Sequence, residues 1–502
     1  MACKPAARAA LAGFVALALY TAAVPGTVAQ TARVYTISTK KQLFGDGFWL
    51  QDARNVKLVV HHPVQTHERC IVADRPWESH RIGAYNTIIE DHGILKMYYD
   101  VIASDGTRWL CLATSKDGVH WEKPDLGAVP FGKHRHTNIV FPLKPSRFEP
   151  GAVFVDTRPG VPTEERYKLV CTYREEGAKR SATYVAASAD GIHFRFLSDK
   201  PVFRSSDTGN VCFYDPRIGR YVAYVRVWDL KRKVGRLEFD DFLHWGKEEV
   251  VLSYDEEDNR WLDPDLFRGM DFYTNAVTTV PDAESVYLMF PSAYYHYRRE
   301  TAKRLGRPFV RAGNDGPLDI QFAFSRDGIH WARPDRRPFI YLGEAGVWDR
   351  GYAYMVTGLV LRDREVWLYY ATAAYTHGDY DLKADRYTGT ITRAVLRRDG
   401  FVSVQAGIEP GEFTTPPIIY RGKRLFVNVR TSAGGHLRVA LLDTSGAPVS
   451  RFSLGECSPI NGNWLKAEVK WQTGDLSKLA GTPVRLRFVL RDADLFSFWF
   501  SD

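Results

Sequence analysis

One short string, used several times over, limits what this chain can fold into. Ser325-Arg326-Asp327-Gly328-Ile329-His330-Trp331 sets an Asp-Gly pair between an apolar run and an aromatic residue. Asp-Gly between apolar runs predicts a tight hairpin, because glycine takes a positive φ without a Cβ clash. Ser115-Lys116-Asp117-Gly118-Val119-His120-Trp121 and Ser188-Ala189-Asp190-Gly191-Ile192-His193-Phe194 are close copies. Asp240-Asp241-Phe242-Leu243-His244-Trp245 is a fourth that has lost its glycine, and Arg398-Asp399-Gly400-Phe401 is a degenerate fifth.

The stretches between hairpins share an internal order: an acidic residue, an apolar strand, a polar turn, then an aromatic-rich strand that leads back to the next hairpin. In the first repeat Glu78 precedes Ala84 to Ile89, Asp91-His92-Gly93 turns, and Leu95 to Val101 returns. Glu149, Asp207, Asp271 and Asp349 stand at the same place in the other four. Four short strands per unit, repeated in this way, are the signature of a β-propeller blade. Five units predict a five-bladed propeller over 70–405. After Phe401 the pattern changes to alternating strands such as Leu425 to Thr431 and Leu437 to Asp443, which predicts an antiparallel β-sandwich over 406–502. The fold class expected is therefore all-β, with a lead-in over 30–69.

Residues 1–29 read as a secretory signal: Lys4 and Arg8, an apolar Ala-rich core from Ala9 to Val24, and small residues before Gln30. Cleavage there predicts a secreted or periplasmic protein with no later membrane span. A net charge of +8, spread without a long Lys/Arg run, gives no nucleic-acid footprint. The mature chain keeps Cys70, Cys111, Cys171, Cys212 and Cys457 with no C-x-x-C spacing, so buried free thiols are expected rather than disulfides or zinc. His61, His62 and His67 have no carboxylate at ligand spacing; neither a metal nor a cofactor is expected.

The head of each innermost strand faces the mouth of a propeller's central channel. Glu78, Glu149, Asp207, Asp271 and Asp349 are thereby the candidate catalytic acids. Carboxylates that share a pocket push one another's pKa apart, which supplies the acid and the base of glycoside hydrolysis. Trp77, Tyr273, Tyr294 and Trp348 are candidate sugar-stacking aromatics. Arg81 and Arg350 are candidate anion-binding forks, and Asn210 and Asp315 further polar groups at the mouth. The hairpin aspartates Asp117, Asp190 and Asp327 are read as turn caps.

With S-x-D-G-x-H-W hairpins, an acid heading each inner strand, Asp207-Thr208-Gly209-Asn210-Val211 before Phe213-Tyr214-Asp215, and a trailing sandwich, the chain resembles the five-bladed propeller glycosidases. These are the arabinanase, levansucrase and invertase superfamily (glycoside hydrolase families 32, 43, 68 and relatives). The resemblance implies a carbohydrate substrate and three carboxylates from different blades. By blade order Glu78 is base or nucleophile, Asp207 orients, and Asp271 or Glu149 is the acid. The W-x-N-D-P-N-G string and the E-C pair of the invertases are absent, so fructoside specificity is not implied. The hairpin also resembles the sialidase Asp-box, which implies six blades and an arginine triad. A non-catalytic carbohydrate-binding propeller is the alternative from another class. A pair of carboxylates across the pocket favours hydrolysis; aromatics and amides without one favour binding.

Overall fold

The computed structural model describes residues 33–141, 148–179, 181–204, 208–305, 314–379 and 389–502. The expected signal segment and Asp207 lie outside the described residues.

Strand pairing resolves the repeats into five meanders around one axis. The first runs from Arg81–Ile82 and Thr87–Asp91 through Ile94–Ile102 and Arg108–Ser115 to Ile139–Phe141. The second is Phe148–Val155, Tyr167–Tyr173, Ala182–Ser188 and Arg195–Phe196, and the third Val211–Asp215, Arg220–Asp229, Lys231–Phe239 and Glu249–Leu252. In the fourth each strand is broken in the middle, as in Phe267–Phe272 with Thr278–Thr279, and its outer strand is reduced to one bridge between Phe324 and Ala332. A single parallel pairing, Leu318 with Tyr352, ties it to the fifth. The described residues thus form five units, one fewer than the sialidase-like reading requires.

The fifth blade takes its outer strand from the other end of the chain. Val64–Val72 pairs antiparallel with Thr390–Arg397 and closes the ring. The expected lead-in is therefore divided. Its last strand completes the propeller, whereas Gln42–Leu43, Gln51–Arg54 and Lys57–Val60 join the C-terminal sheet. That sheet is built on two long strands, Arg424–Leu442 and Arg485–Ser501, whose pairing slips between Thr431 and His436. Both halves of the bent strands feed one core that includes Val427, Leu437, Phe488, Phe498, Trp49 and Phe413.

Second strands are buried on both faces because blades pack face to face; Tyr98, Tyr99 and Val101 are all fully buried. The repeated hairpin holds itself together and also holds its neighbour. Asp327 Oδ1 accepts from the amides of Ile329 and His330, both at 2.8 Å, and its Oδ2 lies 2.7 Å from His330 Nδ1. Ser325 Oγ accepts from Gly328 N at 2.8 Å, and Trp331 donates its indole N–H back to Gly328 O at 3.2 Å. The other lone pair of that carbonyl takes the hydroxyl of Tyr224, from the second strand of the preceding blade, at 2.9 Å. Tyr98 bonds Gly191 O and Tyr369 bonds Gly118 O in the same way, at 3.0 and 2.7 Å. A second series links the second, third and fourth blades to the one before: the Tyr167, Tyr221 and Tyr287 hydroxyls donate to Asp91, Asp156 and Asp215. Two kinds of tyrosine hydrogen bond thus recur at the blade joints.

Candidate active site

A pocket of about 210 Å3 opens on the axis, lined chiefly by Arg81, Tyr85, Arg108, Glu149, Arg226, Arg232, Tyr273, Tyr354 and His377. Small residues narrow the channel nearby. Gly151, Gly209, Asn210, Thr274 and Thr357 leave a space of only about 20 Å3. The inner strands touch there through backbone bonds such as Ala152 N to Asn210 O at 2.9 Å. A Cβ on Gly151 would meet Val170 O at 2.5 Å, so glycine is what permits this approach.

Glu149 is the one carboxylate among the described lining residues. Its side chain is 27% exposed, and Arg108 Nη1 reaches its Oε1 at 2.8 Å. Arg108 is itself held from behind. Its Nε donates to Asp100 Oδ1 at 3.2 Å and its Nη2 to Asp100 Oδ2, a fork whose rigid geometry sets where Glu149 can point. Asp100 is fully buried in the strand Ile94–Ile102, between Tyr99 and Val101, and its backbone accepts Gly83 N at 2.7 Å. Beside Glu149 the Tyr85 hydroxyl donates to that of Tyr273 at 3.3 Å. Burial pushes the Tyr85 phenol well above its ordinary pKa, and Tyr273 and Glu149 add to the push.

On the opposite wall His377 lies 2.8 Å from the Tyr354 hydroxyl through Nδ1, its ring 4.5 Å from that of Tyr273. Burial, reinforced by Arg232, Arg81 and Arg226, pushes its pKa well down, so the imidazole is neutral at physiological pH. Asp315 holds the loop that carries it, accepting Gly316 N at 2.7 Å and Gly378 N at 2.9 Å.

A larger recess of about 560 Å3 adjoins the pocket and shares Arg232 and Asn314 with it. Trp228, Leu230, Lys231, Arg268, Asp271 and His296 complete its wall. Asp271 is met by Arg232 at 3.2 Å and His296 at 3.1 Å. Burial raises its pKa, but His296 and Arg232 outweigh burial and hold the carboxyl below the usual range.

The expected convergence of five acids on one mouth does not occur. Of the four described, Glu149 lines the pocket and Asp271 the recess. Glu78 is buried in a short helical turn, Pro76–Glu78, away from both cavities. Its oxygens accept the amides of Asp74 and Arg75, the Tyr99 hydroxyl at 2.6 Å and Lys123 at 2.6 Å. A carboxylate so fully satisfied caps the turn. Trp77 is buried next to it and donates to Asn138 at 2.9 Å. Asp349 is buried beside His67 of the ring-closing strand, at 3.4 Å, and its neighbours Trp348 and Arg350 also lie outside both cavities. Among the expected binding residues, Arg81 and Tyr273 line the pocket and Asn210 the narrow channel. Tyr294 is fully buried, packed edge-on against Tyr273. Asp315 stands behind the wall as a loop clamp.

Arg108, Arg226, Arg232, Tyr354, Asn314 and His377 were not expected in the site. A signal for two of them lies in the sequence: Arg226 in Val225-Arg226-Val227 and Asp100 (behind Arg108) in Tyr99-Asp100-Val101 are charges inside buried strands, which need partners. Among the described residues no group of three His, Cys, Asp or Glu side chains is placed to hold a metal ion.

No family model matches the sequence, and a comparison with curated proteins finds no match. Solved structures with a similar chain trace include a thermostable family-43 glycoside hydrolase, at 12% identity and a TM-score of 0.42, covering 68% of this chain and 96% of that one. An exo-inulinase from Aspergillus awamori is 12% identical with a TM-score of 0.39, covering 86% of this chain and 99% of that one. A Bombyx mori GH32 β-fructofuranosidase is 10% identical with a TM-score of 0.40, covering 88% and 94%. These are likenesses of chain trace; the propeller and sandwich follow from the strand pairings themselves.

Proposed function

We propose that this protein is a secreted glycoside hydrolase that cleaves poly- or oligosaccharides at the axial pocket, with Glu149 as the carboxylate that meets the scissile bond. The observation that carries the reading is Glu149 itself, a part-exposed carboxylate presented to an aromatic-walled pocket by the Asp100–Arg108 fork. The Arg108 guanidinium at 2.8 Å holds the carboxylate in one orientation, which a base or nucleophile needs. Asp271, held below the usual carboxylate range, does not suit the proton donor. The Tyr85–Tyr273 hydroxyl pair can hydrogen-bond the sugar, but burial holds the Tyr85 phenol well above its ordinary pKa, so it orients the substrate rather than protonating the leaving group. Positioned acid–base groups contribute roughly 10²- to 10⁴-fold, so Glu149→Gln should lower glycan release by that order while leaving the thermal midpoint within a few degrees. Full release by the variant would remove the proposal. That Glu149 is the lone carboxylate among the described lining residues favours a second reading, a carbohydrate-binding propeller without catalysis. Binding of an oligosaccharide by the wild type with no reducing ends released would select it.

A further inference from the structure

The recess beside the pocket has features that the proposed hydrolysis at Glu149 does not use. Its outer wall is the hairpin between Arg220–Asp229 and Lys231–Phe239. At the tip Leu230 is 99% exposed with φ at 62°, in the left-handed region that a bulky side chain rarely adopts. The strain has no packing to compensate it, and such strain concentrates where a segment is used. Next to it Trp228 is 51% exposed, although the same strand buries Val225 completely. The Arg232 guanidinium lies over the Trp228 ring at 4.7 Å and so fixes the indole in place. Lys231 and Arg268 line the recess with Arg232, against one carboxylate, Asp271. In the pocket itself Arg81, Arg108 and Arg226 join Arg232, against Glu149. The two cavities adjoin at Arg232 and Asn314, which line both, and are walled by more cations than anions among the described residues.

We propose that the recess is a second sugar subsite and that the substrate is an anionic oligosaccharide. One unit occupies the axial pocket. The next lays its apolar ring face on Trp228 and Leu230 and turns a carboxylate or sulfate toward Lys231 and Arg268. The indole supplies a preformed platform that loses little side-chain entropy on binding. The guanidinium of Arg268 supplies the fork that planar anions fit. This deepens the hydrolase reading and rests on it for the occupant of the pocket.

The test is calorimetric titration of the full-length mature protein with three tetrasaccharides of one length: a galacturonate, a sulfated galactan and a neutral galactan. The wild type is expected to bind at least one anionic probe roughly ten-fold more tightly than the neutral one, a preference that shrinks as salt is raised. Preference for the galacturonate identifies a carboxylate, and preference for the sulfated galactan a sulfate. Trp228→Ala and Arg268→Gln should each weaken the preferred probe by roughly ten-fold. Leu230→Gly should weaken it too while keeping or raising the unfolding midpoint, because glycine relieves the positive φ; loss of binding there cannot be misfolding. Equal binding by these variants and the wild type, or no charge preference, overturns the subsite and leaves hydrolysis at Glu149 standing. Failure of the wild type to bind any probe or release sugar from any glycan overturns both.

Discussion

Asp319 is a carboxyl group whose burial should be visible in the stability of the whole protein. It sits in the strand Leu318–Ile320, opposite Ala293, and the Tyr295 hydroxyl donates to it at 3.2 Å. Burial pushes its pKa up to about 7, and the tyrosine bond only partly offsets that. In the unfolded chain it ionises near the ordinary value of about 3.9. Between these two values the folded state binds the proton and the unfolded state does not, so stability falls as pH rises. A shift of about 3 units at about 1.4 kcal/mol each makes the fall about 4 kcal/mol, complete once pH passes 7. Asp319→Asn keeps the acceptor for Tyr295 and cannot ionise. The variant should match the wild type within about 1 kcal/mol at pH 4 and gain on it by about 4 kcal/mol at pH 8. His296 and His377, both depressed by burial, act in the opposite sense, losing stability as pH falls below about 6.5. The difference between variant and wild type, rather than either curve alone, is therefore the diagnostic. Urea unfolding followed by tryptophan fluorescence from pH 4 to 8 measures it. A difference that stays constant across that range would refute the reasoning, because it would mean that Asp319 titrates alike in both states.

Lys123→Met should destabilise by about 3–5 kcal/mol, since Glu78 would keep a buried charge without its cation; urea midpoints read this directly. Gly328→Ala should cost about 2–3 kcal/mol, because its φ is 76° and the new Cβ would sit 2.5 Å from the Tyr224 hydroxyl. Tyr224→Phe, which removes only the hydrogen bond, should cost about 1 kcal/mol in the same unfolding assay.

The propeller was legible because its signals are local. Asp-Gly hairpins, strands of alternating or continuous apolar residues and turns such as His92-Gly93, with φ at 51° and 75°, are each set by neighbours in sequence. The closing strand Val64–Val72 was not legible. Its partner is some 320 residues away, and its string Val64-Gln65-Thr66-His67-Glu68 is polar because it lies at an outer edge, half exposed. The site failed for a related reason. Placing an acid before each inner strand assumes that the chain enters every blade alike. Glu78 instead enters through a helical turn that folds its carboxylate back onto its own backbone amides. The charges that do reach the pocket, Arg108, Arg226 and Arg232, sit within or at the ends of strands where the apolar pattern draws the eye away from them.

The hairpin that looked like a marker for counting blades is better understood as half of a contact, and the chain carries its own control. The tyrosine that binds each glycine carbonyl stands four residues into the second strand of the preceding blade: Tyr98 after Ile94, Tyr224 after Arg220 and Tyr369 after Glu365. The corresponding residue of the second blade is Val170, which pairs with Val185 as Tyr98 pairs with Leu112, each partner three residues before its hairpin serine, and Val170 has no hydroxyl to offer. The hairpin facing it is the one that lost its glycine, and there Phe242 packs in one apolar cluster with Val170 and Phe154. Either half alone would be poor: a tyrosine would run into the Phe242 ring, and a glycine would leave a cavity beside valine. Four of the five blade joints are therefore of two kinds, three hydrogen-bonded Tyr–Gly pairs and one apolar Val–Phe pair, and at the joint between the fourth and fifth blades Phe290 packs against Phe401. The loss of glycine in the fourth copy is a matched exchange rather than decay of the repeat. Both kinds fasten the second strand of one blade to the hairpin of the next.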